Sequence, residues 1–342
     1  STVVANDYDK DGDLDLFVGA RVVPFLYGVP ASGYILNNDG NGNFSDVTST
    51  VAPALSDLGL ITDAKWLDAN NDGQPDLIVV GEWMSIHLFM NEDGKFADRS
   101  EASGFTRTNG WYNTIEVGDF NADGYVDFAV GNHGLNSRFK ATDDQPVSMF
   151  VNDFDQNGTI EHITTRFDHG VSYPLVLKQD LITQIPSLKK KYLHFKDYAG
   201  QSVNDMFSED QLSNALILNA YTLETAVWLN NKNGTFAKQI LPIEAQFFPV
   251  YAMLIDDFTG DGHADILLGG NQYRAKPETG IYAAGYGLLL KGDGTGNFQS
   301  VRASASGLSI KGEIRAMKKI EWEGRKYILV GKNNGEIETL RY

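Results

Sequence analysis

The stretch DYDKDGDLD, residues 7–15, places an acidic residue at every odd position of nine residues and a glycine at the sixth. Four more stretches repeat this grammar, with Asp, Asn or Thr at the third position, Asp or Asn at the fifth, and an acidic residue at both ends: DANNDGQPD at 68–76, DFNADGYVD at 119–127, DFDQNGTIE at 153–161 and DFTGDGHAD at 257–265. We call these stretches loops 1 to 5 in chain order and number their positions 1 to 9. Because like charges repel at close range, such loops need a compensating cation.

The spacing within each loop is that of an oxygen cage. Side chains at positions 1, 3, 5 and 9 and the backbone carbonyl at position 7 can converge on one divalent cation, and the glycine at position 6 permits the sharp turn. Oxygen ligands in a chain without cysteine favour Ca²⁺ over zinc or copper. We expect four to five ions, held by Asp7, Asp9, Asp11, Asp13 and Asp15; Asp68, Asn70, Asp72, Gln74 and Asp76; Asp119, Asn121, Asp123, Tyr125 and Asp127; Asp153, Asp155, Asn157, Thr159 and Glu161; and Asp257, Thr259, Asp261, His263 and Asp265.

EF-hand loops and plain turns share parts of this pattern. An EF-hand would need an acidic ligand at position 12 and flanking helices, but strands follow and position 12 is Val18, Val79, Val130, Thr164 or Leu268. The loops could also be plain turns, because Asp, Asn and Gly tolerate turn geometry. Loop 4 is the weakest metal site, since it has Asn at position 5 and lies out of phase with the other loops.

A second motif alternates with the loops and indicates the fold. It consists of an apolar strand, a polar turn and Gly-x-Phe, ending at Phe44, Phe96, Phe236 and Phe298, and 21 to 24 residues separate the first three of these from the next in-phase loop. The pattern gives four short strands per unit, which predicts an all-β fold, a β-propeller of four-stranded blades with calcium loops.

Six blades are recognisable and a seventh is conceivable upstream. We expect one domain over 1–342, a small helical insertion at about 179–212 within the fourth blade, which would start near YPLVLK, and a sixth blade that has lost its ion loop and its fourth strand.

Composition excludes several function classes. The net charge of −17 argues against nucleic acid, which requires a basic face. No apolar run approaches the length of a membrane span, and the lack of cysteine excludes disulfides and thiol chemistry. The first residues, STVVAND, read as a strand instead of a signal peptide, so the chain is expected to be a mature or excised piece.

The motif GDFNADGYVDFAVG resembles the FG-GAP or VCBS repeat, which is found in the integrin α-subunit propeller and in exported bacterial proteins. The helical insertion and AQFFPVYAMLIDDF resemble, more loosely, long exported Bacteroidetes proteins of this kind. The resemblance implies a calcium-braced, non-enzymatic adhesion or ligand-binding module outside the cell, at a bacterial surface or in the periplasm. It also implies ligands at positions 1, 3, 5 and 9 of loops 1, 2, 3 and 5, where Thr259 departs from the usual Asp or Asn.

Ligand binding is expected on the face opposite the loops, where the connections between second and third strands are long. These are Arg21–Ser32, Asn132–Pro146 and Asn271–Gly285, and binding residues concentrate on such loops. The candidates for binding a protein or glycan are Arg21, Tyr27, Trp83, Trp111, His133, Asn136, Arg138, Tyr273, Arg274 and Tyr282. The simpler alternative is that these loops only pack on one another.

The alternative function is a polysaccharide lyase that uses a basic cleft on the same face. Its cations would be Arg138, Lys140, Arg274 and Lys276. No catalytic residue can be assigned, because no sequence signature of a hydrolase, zinc protease or nucleotide-binding loop is present. A third option is a purely structural module of a larger chain.

Overall fold

The computed structural model describes all 342 residues, and 24 strands in it form six antiparallel sheets. Five sheets, called blades 1 to 5, follow one another along the chain, and their first strands lie side by side in that order. The strands are Thr2–Asn6, Asp15–Gly19, Gly33–Asn38 and Phe44–Asp46 in blade 1; Leu60–Leu67, Asp76–Met84, His87–Glu92 and Lys95–Asp98 in blade 2; Thr114–Gly118, Asp127–Gly131, Ala226–Asn230 and Phe236–Ile240 in blade 3; Val250–Asp256, Asp265–Gly270, Leu288–Gly292 and Phe298–Val301 in blade 4; and Glu313–Trp322, Arg325–Asn333 and Glu338–Arg341 in blade 5. A short strand, Gly110–Trp111, pairs with the end of Asp76–Met84.

The sixth sheet is inserted into blade 3 between its second and third strands. In spatial order it contains Val171–Pro174, Glu161–Asp168, Val147–Asn152 and Leu216–Ala220. We call it the inserted sheet. It packs on blade 2 through Met149 and Val151, which share an apolar cluster with Leu60 and Trp83.

This topology confirms the four-stranded sheets of a β-propeller but corrects the predicted count of six blades, because the six sheets are five blades and one inserted sheet. It also corrects the strand assignment. The sequence assigned 175–241 to a fourth blade, yet Ala226–Asn230 pairs with Asp127–Gly131 and therefore completes blade 3. Loop 4 does join two strands, but they belong to the inserted sheet.

The helices are short and most of them lie in the insertion. They are Lys178–Gln184, Phe195–Tyr198, Val203–Met206 and Glu209–Ser213, with a 3₁₀ turn at Pro186–Lys190; elsewhere there are helices at Thr48–Val51 and Ala303–Ser306 and 3₁₀ turns at Pro53–Leu55, Ile243–Gln246 and Pro277–Thr279. The insertion buries Leu181, Ile185 and Phe207 against Phe154 and Ile163 of the inserted sheet. The helical stretch predicted at 179–212 thus corresponds to helices between 178 and 213. None of the helices has the length and apolar content that crossing a bilayer requires.

The second strands of blades 2, 3 and 4 are buried on both faces, which explains their continuous apolar runs. In blade 2, Leu77 and Val79 pack on blade 1, whereas Ile78 and Val80 pack on blade 3. Two further apolar clusters lie between blades 3 and 4 and between blades 4 and 5. Side chains alternate between the faces of a strand, so each blade contributes to the core on either side of it.

Candidate functional site

Loops 1, 2, 3 and 5 join the first and second strands of blades 1 to 4. Their position-9 residues are the first residues of the second strands. Loops 1 to 3 each lie beside the turn between strands three and four of the next blade. In loop 1 the Asn91 amide of blade 2 donates to the Tyr8 carbonyl. The same relation holds between Asn230 and Ala69 of loop 2 and between the Gly296 N–H and Phe120 of loop 3. These four loops therefore occupy one face, as predicted, and loop 4 lies apart on the inserted sheet.

All five loops share one backbone conformation despite their different sequences. Position 4 has a positive φ in every loop, from 56° at Ala122 to 74° at Gly260, and so does the glycine at position 6, from 80° at Gly73 to 100° at Gly12. Glycine adopts this region without strain, which explains why position 6 never varies. A common backbone is evidence for a common site rather than for five unrelated turns.

The first carboxylate closes each loop through backbone hydrogen bonds. In loop 2, Asp68 accepts from the N–H groups of Asp72 (3.0 Å) and Gly73 (2.8 Å), and in loop 3 Asp119 accepts from the equivalent groups at 3.1 and 2.9 Å. The position-5 side chain in turn accepts from the N–H of position 7, as Asp72 does from Gln74 at 2.7 Å. These bonds hold the side chains of positions 1 and 5 against the backbone of the loop.

The ninth position carries the most buried carboxylates. Asp15, Asp76, Asp127 and Asp265 are fully buried, and Glu161 is nearly so. Asp76 accepts from the N–H groups of Ala69 (2.9 Å) and Asn91 (2.7 Å). Burial raises the pKa of Asp76 and of Asp127 to about 6, because a charge removed from water is destabilised. A cation in the loop would offset this cost.

The carboxylate geometry fits calcium in two loops most directly. Oxygens of Asp7, Asp9 and Asp15 in loop 1 lie within 4.8 Å of one another, as do those of Asp153, Asp155 and Glu161 in loop 4. Ligands on opposite sides of a calcium ion are about 5 Å apart, since each bond measures about 2.3–2.6 Å.

Loops 3 and 5 differ because a lysine already contacts the position-5 carboxylate. Lys232 lies 3.3 Å from Asp123 and Lys291 lies 2.8 Å from Asp261. In loop 5 the N–H of Thr259, at position 3, donates to Asp265 (2.8 Å), a bond that position 2 makes in the other loops. An ion in loop 3 or loop 5 would have to displace an ammonium group.

The long connections meet on the opposite face and enclose a cavity of about 420 Å³. Seven of the ten predicted ligand-binding residues line it: Arg21, Tyr27, Trp83, Trp111, His133, Arg274 and Tyr282. An adjoining cavity of about 180 Å³ shares Trp83 and Trp111 with it and is also lined by Arg138. We call the two cavities together the aromatic cleft.

Two predicted residues lie outside the cleft. Asn136 donates to the Phe247 carbonyl (3.2 Å), and Tyr273 has its N–H bound to Glu313 (2.7 Å). The prediction missed Glu82, Phe139, Tyr251 and Gln272, which line the cleft. A signal for Glu82 existed: it follows position 9 of loop 2 by six residues, as Arg21 follows position 9 of loop 1.

A chain of hydrogen bonds crosses one wall of the cleft. The Trp83 indole N–H donates to the Tyr27 hydroxyl (3.1 Å), which donates to Glu82 (3.1 Å). Arg21 binds both oxygens of Glu82, at 2.7 and 3.2 Å. Burial raises the pKa of the Tyr27 hydroxyl, and the Glu82 charge beside it raises it further, so this hydroxyl stays protonated and remains a donor.

Aromatic rings form the other wall. Trp111 packs at ring-centroid distances of 4.9 Å from Trp83, 5.2 Å from His133 and 4.7 Å from Phe139, and His133 packs 4.8 Å from Tyr282. Burial lowers the pKa of His133 to about 4. Trp111 Nε1, His133 Nε2 and the Tyr282 hydroxyl have no hydrogen-bond partner. Buried polar atoms are nearly always paired in proteins, and these three unpaired ones lie among the rings of one cleft.

A larger depression of about 860 Å³ on blade 2 contains a serine, a histidine and an aspartate. Ser100 donates to Asp98 and lies 3.4 Å from His87 Nδ1. Blade 1 repeats the hydroxyl–carboxylate pair as Thr48 and Asp46 (2.6 Å), without a histidine. In both blades the hydroxyl also accepts a strand N–H. The pair is therefore a structural feature of the turn after the fourth strand, and it does not form a catalytic triad.

Comparisons with known proteins agree with the repeats. A family model described as an FG-GAP-like repeat matches residues 7–79 and 68–130. A search of curated protein sequences gave no match. Similar solved structures include BBS1N in complex with ARL6DN (10% identity, covering 98% of this chain and 90% of that chain, TM-score 0.33) and the V. cholerae biofilm matrix protein Bap1 (11% identity, 97% and 74%, TM-score 0.30). At these scores the two structures carry no argument about function. Two overlapping matches of this model span residues 7–130, so this part of the chain consists of FG-GAP-like repeats.

Proposed function

We propose that the protein is an extracellular calcium-binding β-propeller that binds a protein or glycan ligand in the aromatic cleft without chemical conversion. The observation that carries the proposal is that the acidic loops and the aromatic cleft lie on opposite faces. Four acidic loops with one backbone conformation lie on one face, and three unpaired polar atoms among aromatic rings lie on the other. Aromatic side chains dominate binding sites because they bury much area at little entropic cost.

Calcium is supported by the ligand atoms themselves. Each loop offers carboxylate, amide or hydroxyl oxygens, and no cysteine is present in the chain. Loops 1 and 4 have three converging carboxylates, so we expect them to bind most tightly, and loops 3 and 5 most weakly because of Lys232 and Lys291. This order reverses the sequence-based expectation for loop 4.

A location outside the cell or at a bacterial surface suits such sites. Extracellular calcium modules operate with dissociation constants of about 10⁻⁴–10⁻³ M, which fits exposed loops whose ligands are partly amide or hydroxyl. The FG-GAP-like repeats support this location.

Calcium binding is tested by thermal unfolding with calcium and with a chelator. A site at a hundredfold excess over its dissociation constant adds about 2.7 kcal/mol. For 342 residues the unfolding entropy is about 0.7 kcal/mol/K, so each site raises the melting temperature by about 4 °C and four to five sites by about 15–20 °C. Asp9→Ala should remove one such increment, whereas Asp144→Ala, an exposed aspartate in a surface connection, should not. Equal melting curves with calcium and chelator would refute the calcium sites.

Ligand binding is tested with glycan and protein arrays and a variant that fills the cleft. Ala275 lines the cavity, so Ala275→Trp should occupy it without removing a charge or a core residue. We expect the bound array members to lose affinity for Ala275→Trp and to keep it for Arg325→Gln on blade 5. Array ligands that bind both variants equally would place the binding surface elsewhere.

The lyase alternative is tested with the same preparation. Three of its four predicted cations, Arg138, Arg274 and Lys276, line the aromatic cleft, whereas Lys140 donates to the Leu135 carbonyl (3.0 Å). A lyase produces an unsaturated sugar, so incubation with uronate polysaccharides and calcium should show no new ultraviolet absorbance if the protein only binds.

A further inference from the structure

The aromatic cleft is basic although the protein is strongly acidic. The chain has a net charge of −17, yet the residues that line the two cavities include four cations, Arg21, Arg138, Arg274 and Lys276, against the two carboxylates Glu82 and Glu278. A positively charged cleft in a negatively charged protein attracts anions to that cleft.

Two of these cations are already neutralised. Arg21 forms a two-point ion pair with Glu82, and Lys276 lies 3.6 Å from Asp180 and 3.9 Å from Glu278. These groups are therefore part of the walls of the cleft, and their charge is not available to a ligand.

The guanidinium groups of Arg138 and Arg274 differ from the cations of Arg21 and Lys276, because neither guanidinium donates a hydrogen bond or forms an ion pair within the protein. Arg138 contributes only its backbone carbonyl, which accepts from Arg166 at 2.7 Å. Other arginines near this face are engaged: Arg107 stacks on Tyr221, and Arg315 pairs with Glu313. Arg138 and Arg274 lie on different connections, 132–146 and 271–285, and both line the cleft next to Lys276.

We propose that the aromatic cleft binds an anionic glycan, that is, a sugar chain bearing carboxylate or sulfate groups. This inference rests on the proposed ligand-binding function and narrows its ligand. Arginine forks bind planar carboxylates with two parallel hydrogen bonds, so Arg138 and Arg274 hold the anionic groups. The rings of Trp83 and Trp111, which line both cavities, take the apolar face of a sugar.

The shape of the cleft favours a glycan over a protein partner. Its main cavity of about 420 Å³ lies in the range of about 300–1,000 Å³ typical of small-molecule sites, whereas stable protein interfaces bury about 800 Å² of surface on each partner. A neutral glycan would desolvate both free guanidinium groups without pairing them, which is unfavourable.

The test measures binding of defined oligosaccharides by titration calorimetry at constant calcium. The probes are a uronate oligosaccharide, the same oligosaccharide with its carboxyl groups reduced to alcohols, and a sulfated oligosaccharide of equal length. The wild-type protein should bind the reduced probe at least tenfold more weakly than an anionic one. Preference for the uronate or for the sulfated probe identifies which anionic group the cleft takes.

Arg138→Gln and Arg274→Gln should each weaken the anionic probe about tenfold and leave the reduced probe unchanged. Arg325→Gln removes the same charge from an exposed position on blade 5 and should change neither. Equal affinity for anionic and reduced probes, no effect of the two cleft variants, or failure to bind any anionic probe overturns the inference. In each of these cases, a ligand from the arrays that Ala275→Trp blocks still supports the proposed binding function.

Discussion

Asn230→Ala provides a sharp test of how the blades are joined. Asn230 is 3% exposed and stands in the third strand of blade 3. Its side-chain amide donates to the carbonyls of Ala69 (2.8 Å) and Val126 (3.3 Å), and its side-chain oxygen accepts from the Lys232 N–H (2.9 Å). Ala69 is position 2 of loop 2 in blade 2, so this one side chain ties loop 2 to the neighbouring blade.

The magnitude follows from the groups that would lose their partners. Leaving a buried donor or acceptor unsatisfied costs about 1–3 kcal/mol. The Ala69 carbonyl belongs to a residue that is 1% exposed and pays the full penalty, whereas Val126 and Lys232 are closer to solvent. We therefore expect Asn230→Ala to lower the free energy of unfolding by about 2–4 kcal/mol.

Asn38→Ala is the matched control, because Asn38 occupies the same motif position in blade 1. Its amide reaches only the Leu14 carbonyl of its own blade (3.1 Å), and its oxygen accepts from Gly42 (3.2 Å), both at the surface. The expected loss is below about 1 kcal/mol. Asn91→Ala in blade 2, where the amide donates to Tyr8 and Pro75, should resemble Asn230→Ala.

The assay is urea unfolding at saturating calcium, with the midpoint compared at an unchanged slope. We expect the urea midpoints of Asn230→Ala and Asn91→Ala to lie well below the midpoint of Asn38→Ala. If all three variants lose the same stability, the amide acts within its own turn and the bond between blades contributes nothing.

Two further variants test the loop and the cleft. Gly124→Ala in loop 3 should cost about 1 kcal/mol in urea unfolding from backbone strain alone, since φ is 83° and no atom lies within 4 Å of the added methyl group; a loss near zero would contradict the conformation. Burial lowers the pKa of His133 from 6.5 to about 4, so the ring stays neutral in the folded protein while it takes up a proton in the unfolded chain. The free energy of unfolding is therefore unaffected by His133 above pH 6.5 and falls as the pH drops toward 4, by about 3 kcal/mol at 1.36 kcal/mol per pH unit. His133→Gln should flatten the stability profile between pH 6.5 and 4, and an unchanged acid slope would contradict the buried neutral ring.

The sequence predicted the acidic loops well because few residues can satisfy their geometry. A glycine is required at φ near 80–100°, and an acidic residue is required where two N–H groups converge at position 9. Blade 3 could not be assembled from sequence, since strand pairing is a long-range choice and the apolar strands Val147–Asn152 and Leu216–Ala220 satisfy each other. The cleft was found only as a set of long connections, and Glu82 was missed because it lies within the second strand of blade 2 and not on a long connection, although its spacing from loop 2 equals that of Arg21 from loop 1.

The two faces are physically connected by the second strands of the blades. Each strand starts with the buried position-9 carboxylate, and six residues later, about 20 Å along the strand, it reaches a residue at the opposite face. That residue is Arg21 in blade 1, Glu82 in blade 2 and His133 in blade 3, and all three line the aromatic cleft. The Asn132 side chain, beside His133, accepts from the backbone N–H of Trp111 (3.1 Å) and so holds the backbone that carries the central ring of the cleft.

This connection predicts that calcium removal weakens ligand binding although no ion touches the ligand. Without calcium, the position-9 carboxylates are charged and buried without a cation, which destabilises the start of each strand. We expect the tryptophan fluorescence of the wild-type protein to change on titration with calcium, and this change to shrink in Trp111→Phe. Ligand affinity should fall at least fivefold in chelator, at a temperature where the circular dichroism shows the fold intact. An affinity independent of calcium in the folded protein would mean that the loops brace the blades without setting the geometry of the cleft.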